Sequence, residues 1–122
     1  MKKALHIQIQ AKDLPKEGEA RVFPISPPRL SCVLVRDEEG SLHAYLNECQ
    51  HLPIPLDGGV GSLLVDEDGL LVCRTHGAAY RPKDGLCVRG PCIGKALRPL
   101  SLHEGEGSIS IVFEDTPQRM SS

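Results

Sequence analysis

The sequence has no tryptophan and only four other aromatics, Phe23, Tyr45, Tyr80 and Phe113, in 122 residues. So few aromatic faces exclude a stacking platform for single-stranded nucleic acid, and they leave the core to aliphatic side chains. There is no surplus of positive charge either. Fourteen Lys and Arg against sixteen Asp and Glu give a net charge of −2, which speaks against nucleic acid as a partner. Long apolar runs are missing: the longest, residues 32–35 and 70–73, have four members. A membrane-spanning helix needs about 20, so no membrane segment is expected. Behind Met1-Lys2-Lys3 the polar residues Gln8, Gln10 and Lys12 leave no room for an apolar leader, so a cytoplasmic location is expected. Helical periodicity longer than two turns is found nowhere.

Ten Pro and twelve Gly are present, a content that suits a chain full of turns. Apolar residues are 40% and charged residues 25%, enough for one folded domain over residues 1–122. Strand patterns occur at residues 6–10, 20–25, 31–36, 42–46, 63–65, 70–72, 97–102 and 108–114. The run Ser31-Cys32-Val33-Leu34-Val35-Arg36 has the character of a buried strand. Asp37-Glu38-Glu39-Gly40 and Asp66-Glu67-Asp68-Gly69 are hairpin turns. Residues 47–61 and 73–91 are expected to be long loops, and loops of that length usually carry function. Residues 115–122 have the character of a flexible tail. The expected fold is therefore all-β, made of short strands and two long loops.

Five cysteines are an odd number, and without a leader they point to metal, redox chemistry or burial rather than a disulfide framework. Each long loop carries a cysteine followed closely by a histidine: Cys49-Gln50-His51, then Cys73-Arg74-Thr75-His76, with 21 residues between. Two thiols and two imidazoles suit a single tetrahedral zinc ion. They equally suit a two-iron, two-sulfur cluster with both thiolates on one iron and both imidazoles on the other. Ligand softness does not separate the two. The mixed Cys/His boxes favour the cluster, because each loop then contributes one ligand to each iron. Zinc fingers more often pair Cys with Cys and His with His, the latter on a helix.

Beyond the ligands, Leu46-Asn47-Glu48-Cys49-Gln50-His51 with Leu56 and Gly58-Gly59 resembles the first box of the Rieske ferredoxin family. Cys73-Arg74-Thr75-His76-Gly77-Ala78-Ala79-Tyr80 with Asp84-Gly85 resembles its second box. Gly90-Pro91-Cys92, with Gly94, Leu97 and Leu100, is similar to the segment that covers the cluster in that family. The likeness runs over residues 20–112, and the 21-residue spacer is a few residues longer than usual. The resemblance implies an antiparallel β-sandwich with a cluster-binding subdomain of two loops, here residues 47–95. It implies one 2Fe–2S cluster held by Cys49 and Cys73 on the buried iron and by His51 and His76, through Nδ1, on the outer iron. Gly77, Tyr80 and Pro91 are expected around it, with the Tyr80 hydroxyl a donor to a cysteine sulfur. Rieske potentials lie at roughly −150 to +300 mV.

The respiratory branch of the family has an extra cysteine in each box and a serine two residues after the last histidine. Ile54, Thr75 and Ala78 stand at those positions here, so the likeness is to the soluble, low-potential branch. The implied function is a soluble electron carrier between a reductase and an oxygenase or other oxidoreductase, and not an enzyme itself. One alternative is a Rieske-like small subunit of a larger reductase of the nitrite reductase type. The other is a structural zinc module for protein binding. Of the remaining residues, Cys32 is expected to be buried, and Cys87 and Cys92 to be buried or cluster-covering thiols, or a pair. His6, His43 and His103 are expected to be surface or satisfied polar groups. Eight acids and no base fall in residues 37–68, whereas residues 73–98 hold six bases and one acid, Asp84. That asymmetry suits solvated turns, or a surface that steers a redox partner.

Overall fold

The computed structural model describes residues 3–26, 30–49, 55–57, 63–74 and 77–115. Its hairpins begin at aspartates. Asp37 Oδ1 accepts the N–H groups of Glu39 and Ser41, each at 2.9 Å. Asp66 Oδ1 accepts those of Asp68 at 2.9 Å and Leu70 at 3.0 Å. A short carboxylate that bonds its own following backbone pre-forms the turn. The first of these turns joins β3 (Leu30–Arg36) to β4 (Leu42–Leu46), and the second joins β5 (Leu64–Val65) to β6 (Leu71–Val72).

The other strands are β1 (Lys3–Gln10), β2 (Ala20–Ser26), β7 (Ala79–Tyr80), β8 (Cys87–Arg89), β9 (Ser101–Gly105) and β10 (Ser108–Asp115). One 3-10 turn, Ala11–Asp13, follows β1. The strands form three antiparallel sheets, ordered β1-β10-β9, β2-β3-β4 and β5-β6-β7-β8. The all-β expectation holds. Among the described residues no helix is long and apolar enough to cross a membrane.

The middle sheet is covered on both faces. Alternate residues of a strand point to opposite sides. On one side Cys32, Leu34 and Ala44 meet Ile9, Ile109 and Ile111 of the first sheet. On the other side Val33, Val35 and Tyr45 join a core with Leu56, Leu71, Tyr80 and Leu97. Two-sided burial explains why residues 32–35 are an unbroken apolar run rather than an alternating one. Each fully buried aliphatic side chain in these cores contributes roughly 1.5–3 kcal/mol.

Three expectations need correction. Residues 73–91 are not wholly loop, because they contain β7 and β8. Two and three residues are too short to show a period, and they are strands because Tyr80 pairs with Leu71 on one side and Cys87 on the other. The strand expected at residues 97–102 begins instead at Ser101. Pro99, which has no N–H to give a ladder, makes only an isolated bridge to Tyr45. The first strand starts at Lys3 rather than at residue 6, extended by pairing with the far end of β10. The tail expected at residues 115–122 lies, apart from Asp115, outside the described residues.

Candidate metal centre

The first box begins where β4 ends. Asn47, 8% exposed, organises it with its side-chain amide. Its Nδ2 donates to Ser31 Oγ at 3.0 Å and to Asp57 Oδ1 at 3.2 Å, while its Oδ1 accepts the Leu56 N–H at 2.8 Å. The Leu56 carbonyl then accepts the Arg74 N–H at 2.9 Å, which ties the first box to the second. The second box folds back on itself. The Gly77 N–H donates to the Cys73 carbonyl at 2.9 Å, and the Cys73 N–H donates to the Ala78 carbonyl at 2.8 Å. Gly77 takes φ +76°, a conformation glycine adopts without steric cost.

A third segment closes over the second box. Gly90 has φ +97°, and a Cβ there would stand 2.8 Å from Ala78 Cα. Only glycine lets the two backbones approach this closely. Pro91 and Ile93 are exposed beyond it, whereas Cys92 turns inward and is 3% exposed.

Cys49 and Cys73, 2% and 1% exposed, belong to one buried core with Tyr80, Cys87 and Cys92. The Tyr80 hydroxyl lies 3.4 Å from Cys49 Sγ and 3.0 Å from Cys92 Sγ. Cys92 Sγ donates to Cys87 Sγ at 3.2 Å, and Cys87 Sγ donates to the Arg89 carbonyl at 3.2 Å. None of the five cysteines is in a disulfide, so Cys87 and Cys92 are neighbours and not a disulfide. Burial pushes the Cys92 thiol above its ordinary pKa, against the opposing effect of the Tyr80 hydrogen bond.

His51 and His76 lie outside the described residues, as do Ile54, Thr75, Gly58 and Gly59. Of the expected set, the structure therefore brings together Cys49, Cys73, Gly77 and Tyr80, with Gly90-Pro91 over the second box. Reading the sequence missed Asn47 as the organiser of the first box and Cys92 as a partner of Tyr80. Asn47 had a local signal, a turn-forming amide at the end of a strand. Cys92 had none.

The remaining cysteine, Cys32, is 0% exposed in the opposite core, and burial raises its pKa to about 12. His43 Nε2 is 2.8 Å from Asp37 Oδ2, a satisfied polar pair, and His103 is exposed. Part of the charge asymmetry is neutralised locally. Arg89 reaches Asp66 at 3.1 Å and Asp68 at 3.4 Å, and Arg81 pairs with Asp84. Exposed pairs of this kind contribute at most about 1 kcal/mol.

Among the described residues, the starts of the two boxes are tied by the Arg74–Leu56 hydrogen bond, both carry a buried thiol, and a hydroxyl stands against one of these thiols. The family model for the Rieske 2Fe–2S domain matches residues 5–106, and the chain belongs to that family. The family implies a 2Fe–2S cluster. No curated protein matches the chain.

Among solved structures, the chain is similar to the ferredoxin of carbazole 1,9a-dioxygenase from Nocardioides aromaticivorans IC177. Identity is 20% and the TM-score 0.63, over 88% of this chain and 96% of that one. A chain in a complex of reduced oxygenase and oxidized ferredoxin in carbazole 1,9a-dioxygenase is 20% identical, with a TM-score of 0.64, over 88% and 92%. A longer chain, in a carbazole-bound oxygenase and ferredoxin complex of carbazole 1,9a-dioxygenase, is 19% identical with a TM-score of 0.69. The similarity covers 88% of this chain and spans 28% of that one. At these identities the likenesses establish a shared fold.

The residues present fit the cluster. The thiols of Cys49 and Cys73 are the soft donors an iron–sulfur centre uses, and both are buried where water does not compete.

Proposed function

We propose that Cys49, His51, Cys73 and His76 hold one Rieske 2Fe–2S cluster and that the chain carries single electrons. The donor would be a reductase and the acceptor an oxygenase or other oxidoreductase. The observation that carries this reading is the pair of buried thiols, Cys49 and Cys73, in one core at the start of two loops joined by the Arg74–Leu56 hydrogen bond. The family match supports it, and so does the fold shared with ferredoxins named in complex with an oxygenase.

When bound, the cluster supplies reversible one-electron transfer. The chain's own residues set the conditions for it. Burial of both thiols keeps water from the sulfur side. The Tyr80 hydroxyl, close to Cys49 Sγ, places a donor against a sulfur that gains negative charge on reduction. Ala78 is buried under Gly90 and brings no hydroxyl of its own. With one such donor missing, we place the potential in the lower part of the Rieske range, roughly −150 mV to about zero. The cytoplasmic setting is part of the same proposal, supported by five cysteines none of which is in a disulfide. In this reading the chain is not itself an enzyme and serves as the carrier within an oxidoreductase system.

Metal and sulfide analysis of the purified protein tests the proposal. Two irons and two acid-labile sulfides per chain are expected. Replacing either Cys49 or Cys73 by Ser should abolish the visible absorbance and lower stability, because metal binding is folding energy in a small domain. One zinc and no sulfide would replace the cluster reading with the structural zinc module. A large subunit that co-purifies in fixed ratio would favour the reductase small subunit over the free carrier.

A further inference from the structure

The geometry points to Cys87 and Cys92 as a second redox site: a dithiol that hydrogen peroxide converts, reversibly, to a disulfide within the segment over the second box.

Neither sulfur has a part in the cluster reading, which uses Cys49 and Cys73. The two are nonetheless in contact, with Cys92 Sγ donating to Cys87 Sγ at 3.2 Å. A sulfur–sulfur bond needs about 2.03–2.05 Å, so closure shortens this contact by about 1.2 Å. Groups held this close react without having to find each other.

Backbone bonds hold the pair. The Cys87 N–H donates to the Lys95 carbonyl at 2.7 Å, the Gly94 N–H to the Cys87 carbonyl at 3.1 Å and the Lys95 N–H to the Cys92 carbonyl at 3.0 Å. None of these bonds uses a thiol, so the turn keeps its frame whether the sulfurs are joined or apart.

Burial selects the reagent. Cys87 and Cys92 are 1% and 3% exposed. Yet Cys92 sits in a surface turn, with residues 88–91 before it and 93–96 after it all exposed. Burial pushes the Cys92 thiol above its ordinary pKa, so it stays protonated and slow toward bulky electrophiles. Hydrogen peroxide is small and uncharged, and it enters where larger reagents are kept out. A carrier that feeds an oxygenase works where dioxygen is reduced, and two-electron reduction of dioxygen gives peroxide. That source of oxidant rests on the function proposed above, whereas the site does not.

The chemistry takes two steps. Cys92 Sγ attacks one peroxide oxygen; the S–O bond forms, the O–O bond breaks, and the Cys92 proton leaves with the departing hydroxide as water. Cys87 Sγ then attacks Cys92 Sγ; the S–S bond forms, the S–O bond breaks, and the Cys87 proton leaves in a second water. The sulfur pair has lost two electrons and the peroxide has gained them. A sensing thiol poised beside a resolving thiol follows this course and avoids irreversible oxidation. A dithiol reductant reverses it by exchange and departs as its own disulfide.

The test treats the purified, cluster-loaded protein with hydrogen peroxide, removes the excess, alkylates under denaturing conditions and maps tryptic peptides by mass spectrometry. Cleavage after Arg89 puts Cys87 in residues 84–89 and Cys92 in residues 90–95, so a disulfide appears as these two peptides joined. The wild type should show that joined pair and lose two alkylated thiols, and dithiothreitol should restore both. Cys32, 0% exposed in the opposite core, is the internal control and should stay a thiol. In Cys87→Ser, Cys92 should stop at the sulfenic acid and be trapped by dimedone. The wild-type map stands without that variant.

No joined peptides, a link to Cys32, Cys49 or Cys73 in their place, or Cys92 carried on to the sulfinic acid unlinked overturns the inference. Iron, zinc and sulfide are measured on the same sample. Two irons and two sulfides with no joined peptides overturns the dithiol and leaves the cluster reading. Zinc and no sulfide with the joined peptides present does the reverse.

Discussion

Replacing Gly90 by Ala separates two costs that usually arrive together. The first is conformational. At φ +97° an L-residue is strained by roughly 1–2 kcal/mol. The stiffer unfolded chain returns about 0.4–1 kcal/mol of that. The second cost is contact. The new methyl would lie 2.8 Å from Ala78 Cα, 3.2 Å from Ala78 N and 3.2 Å from the Gly77 carbonyl oxygen. All three are backbone atoms, and those of the second box are pinned by the Cys73–Ala78 hydrogen bond, so they cannot swing aside as a side-chain end would. Overpacking of this kind costs about 1–3 kcal/mol. The sum for Gly90→Ala is about 1–5 kcal/mol, centred at about 3 kcal/mol.

Gly94 is the control. It has φ +94° and nothing within 4 Å of a Cβ, so Gly94→Ala carries the conformational cost alone, about 1 kcal/mol. The assay is urea unfolding of the loaded protein, followed by far-ultraviolet circular dichroism and by visible absorbance. Gly90→Ala should shift the midpoint at least twice as far as Gly94→Ala. It should also bleach the visible band before the backbone signal is lost, because the displaced segment is the cover of the second box. Equal midpoints for the two variants would refute the close-approach argument and leave only the dihedral one.

Three further outcomes can be checked. Asn47→Ala removes the acceptor of the buried Leu56 N–H and the donor to Asp57 and Ser31. It should cost about 2–4 kcal/mol in urea unfolding. Asn47→Asp should not rescue it, since it sets a second carboxylate against Asp57. Acid should destabilise the fold through three carboxyls held below their ordinary pKa: Asp37 chiefly by the His43 hydrogen bond, Asp66 by the Leu70 N–H and Asp84 by Arg81. Their contribution is complete above the unfolded carboxyl value near about 4 and is lost as pH falls through the lower folded values. Urea midpoints taken down through that window should fall, and Asp37→Asn should flatten the slope; an unchanged slope would refute the assignment. At the alkaline end, burial first, then the charges of Asp84 and Asp37, raise the Tyr45 hydroxyl to about 12, and its proton goes to the Pro82 carbonyl at 2.6 Å. The unfolded chain loses that proton from about pH 10, so stability should fall as pH rises between the two values. Tyr45→Phe should remove this dependence and cost about 1 kcal/mol at neutral pH.

Signals confined to a few neighbouring residues were readable from the sequence by itself. The Asp-x-x-Gly turns close their hairpins through bonds within five residues, so residue identity alone specifies them. The run at residues 32–35 announced a strand buried on both sides because each face needs its own apolar set. The Cys-x-His and Cys-x-x-His boxes carried the likeness to the Rieske family, which the family match bears out, because ligand chemistry tolerates few other residues at those spacings. The tertiary structure decided what depends on distant partners. β7 and β8 exist because Tyr80 finds Leu71 and Cys87 across sheets too short to show any period. Gly90 is required by Ala78, twelve residues away, in addition to its own positive φ. Cys92 meets Tyr80 because a turn carries it back under the second box, a contact made by packing and hydrogen bonding in three dimensions, which leaves no periodic trace along the chain.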